Sequence, residues 1–195
     1  GPTVSAGQHL AAHSHDDGFP NNTGNLYEEE VSIFDASGDV SAQTHLVTKL
    51  VADAGIMLTG GHLAGDIQAE LFKTAKANGV KRLLVHHPDF IVNVSEAALD
   101  ELLGHGAFID TSSRCTTRRL RAAVADLAPG RLDRPGRPGA DRARLRPRAG
   151  GEPAAVDAYL LIIAQLLDSG VSEADVRQMI CKNTAYLLGL EETNR

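Results

Sequence analysis

Three short apolar runs recur along the chain, and their spacing limits the fold more than any other feature. "IMLTGGH" (56–62), "KRLLVHHPDF" (81–90) and "GAFID" (106–110) are each bounded by a helix-forming stretch, and their first strand-like residues, Ile56, Leu83 and Ala107, lie 27 and 24 residues apart. Runs that are apolar on both faces and separated by helices indicate parallel βαβ units, with helices covering the sheet. The expected class is therefore α/β.

The helical stretches between the runs show a 3.6-residue period. Leu46, Val47, Leu50, Val51 and Ala54 fall on one helical face, and Gly55 stands where a helix end favours a residue tolerant of positive φ. Ile67, Leu71 and Ala75 form the next face, ended by Gly79. Ser95 is placed to cap a helix carrying Leu99, Leu102 and Leu103 and stopping at Gly104. Further on, Val156, Leu160, Ile163 and Leu167 are in register before Gly170, and Ser172 with Asp175 three residues later marks another helix start. Residues 1–40 have little periodicity, and "HSHDDGFPNNTGN" collects residues that favour turns, so this segment is expected to be a loop.

The same spacing calls for a fourth strand between about 130 and 145. That interval holds Arg131 to Gly151, "RLDRPGRPGADRARLRPRAGG", with seven Arg, three Pro and no apolar run longer than one residue. A central parallel strand is buried on both faces and hydrogen-bonded on both edges, which excludes Pro and unpaired Arg. These residues cannot form that strand.

Composition excludes several function classes. With 43% hydrophobic and 23% charged residues in 195, the chain reads as one globular domain. A net charge of -6 argues against a nucleic-acid or membrane-surface partner, since phosphate binding needs a surplus of Lys and Arg on one face. The Arg-rich stretch has no interleaved aromatics to stack on bases. No apolar run approaches the roughly 20 residues of a membrane helix. Cys115 and Cys181 have neither CxxC spacing nor a disulfide pattern, which suits a reducing compartment and a cytoplasmic location. Nothing near Cys115 would activate it as a nucleophile.

In parallel α/β folds, ligands and metals bind at the C-terminal ends of the strands. His62 and His87 each close an apolar run one unit apart, so adjacent strands would bring together two imidazoles, the commonest protein ligands of zinc-like metals. The alternative is a pair of polar strand-end residues bonded to loop carbonyls. His86 should point to the opposite side from His87, and His87 is favoured because Pro88 ends the strand. His13 and His15 have the H-x-H spacing of a metal pair, yet no strand precedes them, so a polar loop is the stronger reading. His13, His15 and His86 are kept as additional metal or lid positions. Asp66, Glu70 and Asp89 read as helix-start or solvent-facing charges.

"LTGGHLAGDIQAELFKTAKANGVKRLLVHHPDF" resembles the strand 5 to strand 6 segment of metal-dependent hydrolases of the amidohydrolase superfamily, in a poorly characterised branch with "TGH" and "THP" blocks. The closing "NTAYLLGL" is similar to the Asn-x-Ala-x-x-Leu-Gly-Leu ending common there. The match covers most of 40–110 and 153–190. The resemblance implies a (β/α)₈ TIM barrel, of which this chain would hold about strands 5 to 8, the N-terminal half being absent. Residues 1–40 would then be a loop-rich segment after strand 4, and 41–195 the C-terminal barrel half with an aberrant Arg/Pro-rich stretch at 131–151.

The resemblance also implies one or two divalent metals, zinc first with manganese or iron as alternatives, held by an H-x-H after strand 1, a His after each of strands 5 and 6, and an Asp after strand 8. His62 and His87 stand for the strand 5 and strand 6 ligands. The strand 1 pair has no counterpart unless His13 and His15 replace it, and the strand 8 Asp has none. In that branch strand 8 is expected to read similarly to "SDLGQAGNP". Read one nucleotide later, "LRPRAGGEP" (145–153) can give Ser-Asp-Leu-Gly-Gln-Ala-Gly-Asn-Pro, and "RPGADRAR" (137–144) can give Gly-Pro-Glu-Arg-Ile-Val-Leu-Ala, an apolar strand at the expected place. A shifted reading frame and a genuine basic insertion are the two explanations of the stretch, and the coding DNA separates them.

The expected activity is metal-assisted hydrolysis of an amide, ester or lactone type bond in a small-molecule substrate, impaired because the proton-accepting Asp is absent. The alternative is a non-catalytic truncated or frameshifted fragment, its exposed sheet edges requiring a partner. The expected partners are a second copy of the chain or a complementing barrel half, with no nucleic acid and no membrane.

Overall fold

A computed structural model describes residues 5–7, 29–86, 88, 92, 94–110 and 155–190. His13, His15, His87, Cys115 and the stretch 131–151 lie outside the described residues. The chain divides into two compact units, one of residues 1–111 with 183–195 and one of residues 112–182.

The first unit is mixed α/β. Its described elements run α1 (Ala42–Ala54), β1 (Leu58–Thr59), α2 (Gly65–Ala77), β2 (Leu83–His86), α3 (Glu96–Gly104), β3 (Phe108–Asp110) and, after the second unit, α6 (Asn183–Leu188). The three strands form a parallel sheet in the order β1-β2-β3. Leu58 stands opposite Leu83, Leu84 opposite Phe108, and His86 opposite Asp110. The expected strand and helix alternation is thus present, in short strands.

Local sequence explains where the helices begin and end. Ser41 caps α1 by accepting from the Thr44 amide at 3.2 Å, and Gly55 ends it at φ 62°, a left-handed conformation that costs glycine little. Ser95 caps α3 in the same way, accepting from the Ala98 amide at 3.2 Å. The expected stop at Gly104 falls slightly late: Gly104 is still helical, His105 is the cap, and the positive φ is at Gly106.

The core lies where α2 meets the sheet. Leu58, Leu83 and Val85 from the strands pack with Leu71, Phe72 and Ala75 from α2, and Leu102 of α3 closes one end. α2 packs on both α1 and α3 and buries residues on more than one face.

α1 departs from the expected face. Of the expected face, Val51 packs partly buried against the core, while Leu46, Val47 and Leu50 are exposed, and the one buried residue of the helix is Thr48, at 0% exposure. Polar contacts explain why a threonine faces inward. Its hydroxyl donates to the Thr44 carbonyl at 2.8 Å and accepts from the Asn78 amide, also at 2.8 Å, tying α1 to the end of α2. Thr48 is satisfied there, so its burial carries no unpaired polar group.

At the N-terminal end of the sheet, Arg82 fastens α6. Its guanidinium donates to the carbonyls of Gly55 and Tyr186, both at 2.6 Å, and lies 5.2 Å from the Tyr186 ring centre. The Tyr186 hydroxyl donates to the Lys81 carbonyl at 3.0 Å, and its ring tilts against Phe108 at 5.6 Å. The "NTAYLLGL" ending is therefore a structural strap at the edge opposite the histidines.

In the second unit, α4 (Ala155–Asp168) packs on α5 (Glu173–Arg177), which is followed by a π-helical turn, Gln178–Lys182. Ser172 caps α5, its hydroxyl accepting from the Asp175 amide at 3.1 Å and donating to the Asp175 carboxylate at 2.6 Å. The apolar face expected on α4 is mostly exposed: Val156, Leu160 and Leu167 are exposed, as are Tyr159 and Leu161, while Ile163 is partly buried and Leu166 is buried. Among the described residues, no helix is long and apolar enough to cross a membrane.

Candidate functional site

The parallel sheet sends the ends of β1, β2 and β3 to one edge, and two of those ends meet there through their side chains. His86 is the last residue of β2 and Asp110 the last of β3, directly opposite in register. Residues paired across neighbouring strands project to the same face, and the His86 Nδ1 and an Asp110 carboxylate oxygen stand 2.9 Å apart. An ionised carboxylate only accepts, so this contact places the ring proton on Nδ1 and makes Nε2 the basic nitrogen. Both side chains are partly exposed, at 31% and 46%, so the pair orients the ring more than it stabilises the fold.

His62 reaches the same edge by a turn. The ladder extends one residue past β1, where the Gly60 amide donates to the Leu84 carbonyl at 3.0 Å. Gly61 then adopts φ 61°, and the Leu63 amide donates back to the Gly60 carbonyl at 3.4 Å. His62 is the third residue of this turn and is half-buried between buried Gly61 and Leu63. The glycine pair in "TGGH" is needed for this geometry: position 61 requires positive φ, and a Cβ at Gly60 would overlap the side-chain amide of Gln68.

Among the sequence-predicted positions, His62 and His86 are both carried at the C-terminal edge, while His87, His13 and His15 lie outside the described residues. Asp110 is the residue that the sequence reading did not single out. The rule that selected the histidines would have found it, because "GAFID" is the third apolar run and Asp110 closes it as His62 and His87 close theirs. Among the described residues, no three of His, Cys, Asp and Glu come together as a metal-holding group. A cleft of about 200 Å³ is lined by Glu30, Val31, Ile33, Leu63, Ala64 and Ile67 among others, but by none of His62, His86 and Asp110.

Residues 1–110 match the family model of DUF6282, a family of unknown function. The chain belongs to that family. No curated protein and no solved structure matches it. The DUF6282 match takes in all three strands, His62 and the His86–Asp110 pair, and it ends on Asp110, the last residue of β3.

Proposed function

We propose that this DUF6282 chain carries the framework of an amidohydrolase-type, metal-dependent hydrolase in an impaired form. The observation that supports it best is the His86–Asp110 contact at the C-terminal edge of a parallel sheet, with His62 carried on the turn after β1. A carboxylate that holds the Nδ1 proton and fixes the ring is the usual support of a metal-ligating imidazole, which then binds through Nε2. In this reading β1, β2 and β3 are strands 5 to 7 of a partial (β/α)₈ barrel formed by 41–195, with 1–40 a loop-rich lead-in.

The donor chemistry fits a divalent metal, zinc before manganese or iron. The number of donors does not: catalytic zinc keeps three protein ligands, and the described residues bring no such group together. With His62 and His87 as ligands and His86, oriented by Asp110, as the additional metal position, the set lacks the strand 8 carboxylate that the resemblance calls for. A bound metal in such a site would acidify water and polarise the bond under attack. The chain's own residues contribute the oriented imidazole and the turn that carries His62. The substrate class is a small molecule with an amide, ester or lactone bond, and the exposed free thiol of Cys181 suits a reducing cytoplasm.

The exposed apolar side chains of α4 favour a second reading, a non-catalytic chain whose uncovered surface is completed by another copy or by a barrel half. Metal content and turnover of the purified chain separate the two, measured on simple amides, esters and lactones with and without chelator. The impaired hydrolase is expected to bind less than one zinc per chain and to turn over near background. Replacing 137–153 by the shifted reading should raise both. A restored chain that folds yet neither binds zinc nor hydrolyses any of these substrates would remove the hydrolase reading, and stoichiometric zinc with chelator-sensitive turnover in the original chain would remove the impairment.

A further inference from the structure

Gln68 lies in the second turn of α2 and is completely buried, at 0% exposure. An amide in that position is costly unless its polar atoms are used. Its Nε2 donates to the Leu63 carbonyl at 2.7 Å, while its Oε1 has no hydrogen-bond partner among the described residues and rests against Gly60. Turning the amide over would set two oxygens against each other at Leu63, so that carbonyl fixes its orientation. A leucine or methionine would fill similar space without an unpaired oxygen. The amide is therefore accounted for by what it holds, and it holds both ends of one turn: Gly60 by contact and Leu63 by a hydrogen bond.

We infer that Gln68 is the positioning residue of His62. The segment between its two points of contact is Gly61-His62, with Gly61 left-handed. Fixing residues 60 and 63 restricts the backbone between them, and that segment carries His62 just past the end of β1. This assignment rests on the reading of His62 as a site residue, but the geometry it predicts is measurable with no metal and no substrate.

The test is the set of imidazole ¹⁵N and Cε1–H resonances of the full chain, with His86 as the internal reference because it is held by Asp110 and not by Gln68. Gln68→Met keeps the volume and removes the amide. The expected result is a displaced His62 signature with the His86 signature and the melting temperature nearly unchanged. Gly60→Ala, which leaves Gln68 in place but intrudes on it, should displace the same His62 signals. Equal displacement of His62 and His86, or none of either, would overturn the assignment and leave Gln68 as core packing. If Gln68→Met does not fold, Gln68→Leu, which also removes the amide without adding a charge, gives the same reading. Failure of both variants to fold would also overturn it, since the side chain would then support the whole core. Zinc binding by the frame-restored chain is the separate arm: no binding and no hydrolysis there removes the hydrolase reading and leaves the His62 result standing.

Discussion

A histidine whose Nδ1 is held by a carboxylate has its tautomer chosen for it, and at the end of β2 that carboxylate belongs to Asp110. Asp110→Asn removes the charge and offers an amide that can present either donor or acceptor to Nδ1. Because the pair is partly exposed, the cost in stability should be about 1 kcal/mol or less. The ring of His86 should respond more strongly, with its ¹⁵N pattern passing from one tautomer to a mixture. Denaturant unfolding and imidazole NMR on the same sample check both halves; a large loss of stability with an unchanged tautomer would contradict the account. The sequence carried half of this pair. His86 was visible as a strand-end imidazole, but period-two reasoning weighed it only against its neighbour His87. The partner across the sheet depends on strand register, which places Asp110 opposite His86 and which no local pattern states.

At the scale of elements, signals written in the backbone were legible and the direction of each helix's buried face was less so. Ser41, Ser95 and Ser172 cap helices as their types and spacing require, and Gly55 ends α1. Ser41→Ala should cost about 1 kcal/mol, the usual loss of an N-cap acceptor, read as a shift in the unfolding midpoint. The apolar stripe of α1 illustrates the opposite case. Periodicity identifies a face, but what that face meets depends on partners elsewhere in the chain, and here a hydroxyl bonded to Asn78 occupies the interior in place of Leu46 and Leu50. Thr48→Val is thus expected to destabilise by about 1–2 kcal/mol, leaving the Asn78 amide short of an acceptor. Leu50→Lys should change stability by no more than about 0.5 kcal/mol, as for an ordinary surface substitution. If the leucine proves the costlier of the two, α1 packs by its apolar stripe and the face described for it is wrong.

On the scale of the whole molecule, the family match, the sheet and the described part of the first unit's α/β alternation all reach Asp110, and the Arg/Pro-rich stretch follows within the next forty or so residues. Beyond it stands α4, whose sequence is apolar nearly all round, and a helix of that kind is normally buried. In the second unit Val156, Tyr159, Leu160, Leu161 and Leu167 are nonetheless exposed. The shifted frame proposed for the stretch would exchange its Pro- and Arg-rich residues for an apolar strand of the type such a helix packs against. The original chain should bind a hydrophobic dye such as anilinonaphthalene sulfonate in its native state. Replacing 137–153 by the shifted reading should suppress that binding. Burying even two of the exposed side chains contributes on the order of 3 kcal/mol, which for a chain of this size raises the melting temperature by roughly 6–12 °C. Equal dye binding and an unchanged melting temperature in the replaced chain would mean that α4 lacks its cover for some other reason, and the basic insertion would then stand as a genuine part of the protein.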